Sequence, residues 1–168
     1  KKNRKAERLF LAEGPKLVGD LLGHFPCRLL VATAQWLAQH KQVEAAQIVE
    51  ATDDELSRAS LLKTPQQVLA LFEQPTEEVN TNYPQSELCL ALDDVQDPGN
   101  LGTIIRLADW FGIRHIYCSP NTADAFSPKV IQATMGAIAR VNVHYTPLPD
   151  LIQSLGDTPI YGTFLDGD

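Results

Sequence analysis

The sequence predicts an α/β protein of two small domains, and two features of the 168-residue chain indicate this fold class. Short apolar runs, which are typical of buried strands, alternate with segments whose apolar residues recur at helical spacing. Between the two halves, the stretch from 74 to 86 is polar and contains Pro75 and Pro84, so it interrupts regular structure. We therefore predict a first domain at residues 1–73, a linker at 74–86 and a second domain at 87–168.

Local patterns give the elements of the first half. Apolar residues near helical spacing between Arg4 and Leu22, interrupted at 13–15, predict two short helices or a helix and a strand-like break. Thr52 stands three residues before Glu55, which is the arrangement of a capping box that opens a helix. Around that helix we predict strands at 28–32 and 47–50 and a helix at 34–39. Residues 65–72 are expected to form another strand, with a helix as the alternative.

The second half has an alternating strand–helix order that predicts a parallel, Rossmann-like sheet with right-handed crossovers. Gly112 is expected to stop one helix, and Ser127 and Pro128 are expected to cap and begin the next. Because no helix follows the last predicted strand, we expect this domain to be incomplete within the chain. The predicted elements are strands at 87–93, 114–118, 141–143 and 160–165 and helices at 101–111, 128–138 and 148–155.

Composition and charge narrow the function classes. The chain is 44% hydrophobic and 21% charged, which fits a folded globular protein, and no apolar run reaches the ~18–20 residues that span a bilayer. The net charge is −7, yet residues 1–8 hold five basic side chains and one acidic one. This basic segment can contact phosphates, or it is a solvated helix end.

Cysteines and histidines suggest neither a disulfide framework nor a metal site. The three cysteines are widely spaced and form no C-x-x-C pair, which predicts buried, reduced thiols in a cytoplasmic protein. The four histidines are scattered along the chain without neighbours at ligand-like spacing. We therefore expect no metal and no membrane attachment.

The segment Asp97-Pro98-Gly99-Asn100-Leu101-Gly102-Thr103-Ile104-Ile105-Arg106 carries the main candidate site. It lies between the end of a predicted strand and a helix N-terminus, where open α/β sheets bind their ligands. Asn100 is expected to cap the helix, and Gly102 to expose backbone N–H groups to an anion or an oxygen-rich ligand. Arg106 lies among apolar residues, so its charge is expected to need an anionic partner.

Two interpretations of Arg106 stay open on these grounds. It belongs to a ligand site, or it pairs with Asp93, Asp94 or Asp109 while the turn is purely structural. The segment lacks the Lys-Ser/Thr of a nucleotide P-loop and is not the G-x-G-x-x-G dinucleotide fingerprint.

The same ten residues closely resemble the first motif of the SpoU class of SPOUT RNA methyltransferases. That motif is Asn-x-Gly, three further residues and Arg, and it follows the first strand of the catalytic domain. Residues 126–130 and 133–137 are similar to the family's following helix. In the first half, residues 10–18, 56–60 and 64–68 are similar to its ribosomal-protein-like substrate-binding domain.

The resemblance implies an S-adenosylmethionine-dependent enzyme that methylates a ribose 2′-hydroxyl of rRNA or tRNA. It implies catalytic roles for Arg106 and Asn100, and a homodimer in which Arg106 can serve the partner's pocket. In this family the arginine is often drawn as the base. Because a guanidinium stays protonated in proteins, we favour Arg106 as an electrostatic clamp on a phosphate or the developing alkoxide, with Asn100 orienting it or the ribose.

The chain also departs from the family's pattern. The second and third motifs, which form most of the trefoil-knotted cofactor pocket, are missing from the sequence. The residues that bind S-adenosylmethionine are therefore expected after Asp168. At Gln132 many relatives carry arginine, so one expected positive contact is missing.

The resemblance implies that the first domain binds the RNA substrate. Phosphate contacts are expected from Arg4, Lys5, Arg8 and Lys16, and Gly102 is expected to let RNA approach the backbone. Two other functions stay open: a catalytically inactive RNA-binding module with the same fold, and a Rossmann-like binder of a small nucleotide. The missing dinucleotide fingerprint weighs against the nucleotide binder.

Overall fold

A computed structural model, which describes residues 7–76 and 79–163, contains two α/β halves that are each built on their own sheet. In the first half the sheet order is β1-β4-β2-β3, with β1 and β2 antiparallel to β4 and β3 parallel to β2. The elements are β1 (Leu9–Glu13), α1 (Pro15–Leu21), β2 (Cys27–Ala32), α2 (Ala34–Gln39), β3 (Ile48–Glu50), α3 (Asp53–Ala59) and β4 (Val68–Glu73).

The prediction for the beginning of the chain is wrong at one element. Residues Leu9–Glu13 form a strand, not part of a helix, because β4 pairs along their whole length. Within this pairing Phe10 lies opposite Phe72, and their rings stack with centroids 5.5 Å apart. The expected capping box is present: Thr52 accepts from the Glu55 N–H, and the Glu55 carboxylate accepts from the Thr52 N–H.

The second half contains a parallel sheet of order β5-β6-β7. The predicted strand at 160–165 is not formed at 160–163, and its last two residues lie outside the described ranges. The elements are β5 (Leu90–Leu92), α4 (Pro98–Trp110), β6 (His115–Cys118), α5 (Pro128–Thr134), β7 (Asn142–Tyr145) and α6 (Leu148–Ser154). Short 3₁₀ turns occupy Tyr83–Gln85 and Ala137–Ala139.

The helix expected at 128–138 ends four residues early. Ser127 caps it and Pro128 begins it, as predicted, but Met135 and Gly136 have φ values of 51° and 94°. Two successive left-handed residues stop an α-helix. A Cβ at Gly136 would lie 2.8 Å from the Asp20 carboxylate, so this turn brings the second half close to α1.

Helix α5 is the main contact between the two halves. The Phe126 ring, just before α5, packs on Phe10 with centroids 5.1 Å apart. The Gln132 side chain donates a hydrogen bond of 3.1 Å to the Glu13 carbonyl. Buried residues of both halves join in one hydrophobic core. In the described ranges no helix has the length and apolar character needed to cross a membrane.

Candidate functional site at the carboxyl edge of the parallel sheet

The loops that follow β5 and β6 lie side by side at the carboxyl edge of the parallel sheet. The Ser119 N–H donates to the Leu92 carbonyl over 3.0 Å, and the Ala123 N–H donates to the Val95 carbonyl over 2.9 Å. Helix α4 begins directly after the first of these loops. The motif segment 97–106 therefore occupies the ligand-binding edge of an open α/β sheet, as the sequence predicts.

Asp97, not Asn100, is the N-cap of α4. Its carboxylate accepts the Asn100 N–H at 2.7 Å, and its backbone is extended. The expectation that Asn100 caps the helix is wrong, because the helix begins three residues earlier. Pro98 was the signal that could have identified this start, since proline favours the first helical position. Asn100 lies in the first turn with its side chain exposed to solvent.

Gly102 has a packing role that sequence reasoning missed. It is buried, and a Cβ at this position would lie 2.3 Å from the Ala133 Cβ. The missing side chain therefore allows α4 and α5 to approach closely, and the neighbouring helix fills the space. The expectation that Gly102 lets RNA approach the backbone is therefore wrong, because Ala133 lies there.

Arg106 is exposed on α4. Within residues 7–76 and 79–163, its guanidinium has no hydrogen-bond or ion-pair partner. Asp109, one of the partners considered for it, is held by Arg140 through contacts of 2.7–3.1 Å. The structural alternative, a buried Arg106 paired with an aspartate, is therefore contradicted.

Asn100 and Arg106 do not lie on one face of α4. Six residues separate them, which corresponds to about 120° around the helix and about 9 Å along it. The exposed Thr103 lies nearer to the face of Arg106. A substrate that contacts both the amide and the guanidinium must therefore wrap around the first two turns of α4.

Three exposed apolar side chains follow Arg106 at the end of α4, and the sequence pattern did not predict their exposure. Leu107, Trp110 and Phe111 have 52%, 84% and 73% of their surface exposed. Arg106 and Trp110 are four residues apart and so share one face of α4. The combination of a free cation and a large apolar surface is typical of a face that another molecule covers.

The loop after β6 supplies a second feature that the motif search missed. Ser119 and Thr122 are 7% and 5% exposed, and the Ser119 hydroxyl accepts the Asp94 N–H at 2.8 Å. Asp94 has a φ of 53°, a left-handed conformation that is uncommon for a residue other than glycine. No local sequence signal indicates this bond, because 25 residues separate its partners.

Two of the four residues that are expected to contact phosphate in the first domain lie within the described ranges. Arg8 is exposed and donates from its guanidinium to the Pro75 carbonyl at 2.9 Å. Lys16 is exposed and lines a cleft of about 310 Å³ between the two halves, opposite Gln132 and Met135. Arg4 and Lys5 lie outside the described residues.

Two of the histidines that look isolated in the sequence meet in the structure. His115 Nδ1 and His144 Nε2 are 3.0 Å apart, the Tyr83 ring stacks on His115 at 3.6 Å, and Glu87 Oε1 lies 3.7 Å from His115 Nε2. These contacts attach the segment around Tyr83 to the parallel sheet. Among the described residues, no group of three or more His, Cys, Asp or Glu side chains could hold a metal ion.

The cysteines are unpaired and largely shielded. Cys27 and Cys118 are buried, as predicted, and Cys89 is half-buried. Burial raises the pKa of the Cys118 thiol to about 12. Burial, followed by the nearby Glu87 carboxylate, raises the pKa of the Cys89 thiol to about 11.

Comparisons with known proteins cover nearly the whole chain. Residues 87–168 match the model of the SpoU rRNA methylase family, and residues 1–70 match that of the MRM3-like substrate-binding domain. The chain is 32% identical to the 23S rRNA (guanosine(2553)-2′-O)-methyltransferase RlmP of Bacillus subtilis, with 98% of the chain and 66% of that protein covered. It is 28% identical to human mitochondrial rRNA methyltransferase 3, with 94% of the chain and 40% of that protein covered.

Solved structures of RNA methyltransferases are also similar to most of the chain. A Porphyromonas gingivalis protein assigned to the TrmH family of RNA methyltransferases has a TM-score of 0.85 and 43% identity, and the match covers 99% of the chain and 67% of that protein. An AdoMet-bound rRNA methyltransferase from Sinorhizobium meliloti has a TM-score of 0.75 and 35% identity, over 90% of the chain and 59% of that protein. The chain thus spans about two thirds or less of the proteins that it matches, and the predicted α/β fold class is confirmed.

Proposed function

Because the chain belongs to the SpoU rRNA methylase family, we propose that the protein transfers a methyl group from S-adenosylmethionine to a ribose 2′-hydroxyl of rRNA or tRNA. The observation that carries this proposal is Arg106, an exposed and unpartnered guanidinium among the described residues, on the helix that begins at the carboxyl edge of the sheet. A cation without an internal partner at this edge is available for an anionic substrate.

Arg106 acts as an electrostatic clamp in this proposal. In methyl transfer the ribose oxygen would bond to the methyl carbon as the methyl–sulfur bond of the donor breaks, which leaves S-adenosylhomocysteine. The hydroxyl proton would pass to water, so negative charge develops on the ribose oxygen. A guanidinium does not accept a proton in proteins, but it stabilises such charge and binds phosphate with two parallel hydrogen bonds. Asn100, on the first turn of the same helix, has an exposed amide that can bind a ribose hydroxyl.

S-adenosylmethionine supplies the electrophilic methyl group. The carboxyl edge suits such a cationic sulfonium donor electrostatically, because Asp93 and Asp97 are exposed and place negative charge in the segment that leads from β5 into α4. We propose that the cofactor binds at this edge and that segments following Asp168 in the longer relatives provide most of its contacts.

In this proposal the first domain binds the RNA substrate. Lys16 lines the cleft between the two halves. Arg8 is exposed and directly precedes β1, which is an edge strand of the first sheet. Arg4 and Lys5 extend the basic segment. Because α5 holds the first domain against the helix that carries Arg106, a structured RNA can contact both halves at a fixed spacing.

A homodimer explains the apolar surface around Arg106. We propose that a second copy covers Leu107, Trp110 and Phe111 and places Arg106 at the partner's pocket. In full-length protein, Trp110→Glu should convert the dimer to a monomer in size-exclusion chromatography with light scattering. Leu61→Glu, at an exposed leucine of the first half, is the matched control and should leave the dimer intact. A monomeric wild-type protein would contradict this proposal.

A cytoplasmic location is proposed from the thiols. The cysteines are free, which suits a reducing compartment. A fluorescent fusion of the full-length protein that localises elsewhere in its host would contradict this assignment.

The activity is tested by methyl transfer to RNA. Full-length protein with tritiated S-adenosylmethionine should label rRNA or tRNA that lacks the modification, and the labelled nucleotide should resist alkaline hydrolysis, because a 2′-O-methyl group blocks attack on the adjacent phosphate. Label on a base would contradict ribose methylation. RNA binding without any transfer would instead support the inactive RNA-binding module.

A further inference from the structure

We propose that Ser119 is a positioning residue for methyl transfer, which it supports by holding the turn that leads from β5 into the Asn100–Arg106 helix. The inference rests on the proposed function and adds to it a residue outside the motif segment. Ser119 lies at the end of β6, and its hydroxyl accepts the Asp94 N–H at 2.8 Å. It therefore acts on the backbone of the turn and not on the substrate.

The Ser119 and Thr122 hydroxyls form a chain of hydrogen bonds that leads from the Asp94 N–H to the Leu92 carbonyl. Because the Ser119 oxygen accepts from Asp94, its proton is free to be donated to Thr122 Oγ1, 3.2 Å away. Thr122 in turn donates to the Leu92 carbonyl at 3.3 Å. Each hydroxyl then both accepts and donates once, and this satisfies two polar side chains that are more than nine-tenths buried.

The held residue is the one with an unfavourable backbone conformation. Asp94 has a φ of 53°, which L-residues other than glycine adopt at an energetic cost. A bond from its N–H to a buried hydroxyl favours this conformation over the alternatives. Immediately beyond it, the Val95 carbonyl accepts from the Ala123 N–H at 2.9 Å, so two successive residues of the turn are fixed by the loop after β6.

That loop is itself anchored from its other side. The Tyr145 hydroxyl, on β7, accepts the Ala125 N–H at 2.8 Å and donates to the Ala123 carbonyl. Strands β5, β6 and β7 therefore all contribute to the position of the turn. From Asp94 the chain reaches the Asp97 cap within three residues, and the cap fixes the Asn100 N–H at 2.7 Å. A change at Asp94 thus shifts the first turn of α4.

The test compares variants of the full-length enzyme. Ser119→Ala removes the acceptor and should lower kcat about tenfold, the factor that corresponds to one lost hydrogen bond of ordinary strength. The KM values for RNA and S-adenosylmethionine should stay near those of wild type. Amide hydrogen exchange at 94–100 should accelerate. Ser154→Ala, which removes a hydroxyl bonded within α6, is the matched control and should change none of these quantities.

A double-mutant cycle with Asp94→Gly separates positioning from a general loss of stability. Glycine adopts a φ of 53° without strain, so the Ser119→Ala loss in kcat should be much smaller in the Asp94→Gly background. The same loss in both backgrounds, or a loss that follows the melting temperature alone, would overturn the proposal. If wild-type protein transfers no methyl group to any RNA, the proposed function fails. The exchange rates of Ser119→Ala and Ser154→Ala still test whether Ser119 holds the turn.

Discussion

Gly102→Ala is the substitution whose effect the structure defines most sharply. The new Cβ would lie 2.3 Å from the Ala133 Cβ and 3.1 Å from the Ala133 carbonyl carbon. Ordinary contacts begin at 3.4 Å, so the axes of α4 and α5 must separate by roughly 1 Å. Because part of the clash is with backbone, rotation of a side chain cannot relieve it.

Two opposing effects set the magnitude. Overpacking of this kind costs about 1–3 kcal/mol, whereas replacing a helical glycine with alanine returns about 0.5–1 kcal/mol. We expect a net destabilisation of about 1–2 kcal/mol, which lowers the melting temperature by roughly 2–8 °C for a protein of this size. Methyl transfer should also fall, because α4 carries both Asn100 and Arg106.

The assay is thermal and urea unfolding of full-length protein with two comparison variants. Gly19→Ala changes a helical glycine of α1 that has nothing within 4 Å of the new Cβ, so it should stabilise by about 0.5–1 kcal/mol. In an Ala133→Gly background, the cost of Gly102→Ala should shrink, since the closest contact is removed. If Gly102→Ala is as stable as Gly19→Ala, α4 and α5 are not in close contact at Gly102.

Three further predictions concern the site and the thiols. Arg106→Ala should reduce methyl transfer at least ~100-fold, the scale for losing one preorganised electrostatic contact, and should leave the melting temperature unchanged. Arg106→Lys should restore little of the activity. Arg58→Ala, at an exposed arginine of α3, is the control for both methyl transfer and melting temperature. Asp97→Ala removes the N-cap of α4, so it should lower the free energy of unfolding by about 1 kcal/mol and raise amide hydrogen exchange at Asn100. Asp97→Ser should retain most of the stability. Equal stability of the two variants would contradict the role of Asp97 as the cap. Burial raises the pKa of the folded Cys118 thiol from its ordinary 9.0 to about 12. The unfolded state therefore loses this proton first, and the free energy of unfolding should fall between pH 9 and 12. Urea unfolding over this pH range should show a smaller fall for Cys118→Ala.

Much of the architecture follows from short-range patterns in the sequence. The Thr52–Glu55 capping box, the Ser127-Pro128 helix start and the apolar strand at 28–32 all appear where they were predicted. The capping box and the helix start depend on interactions within a few residues, and the strand is indicated by its continuous apolar run, so local sequence carries the information. The motif segment 97–106 was placed at the correct edge of the sheet for the same reason, because an apolar strand immediately precedes it.

The tertiary structure decided what depends on distant partners. Leu9–Glu13 has apolar spacing that fits a helix, and it becomes a strand because β4, about 60 residues away in sequence, pairs with it. Asp97 and Asn100 are both good caps by residue type, and the path of the chain after β5 selects Asp97. Arg106 has apolar neighbours in sequence, yet the packing of α4 against α5 buries Ile105 and leaves the guanidinium in solvent.

The residue types at the motif are therefore determined by the sequence, and their roles by the fold. That Asn100, Gly102 and Arg106 occur at this spacing is visible without coordinates. That Gly102 serves helix packing depends on Ala133, and that Ser119 holds the turn depends on Asp94. Contacts of this kind join residues 25 or more positions apart, and no local propensity or periodicity encodes them.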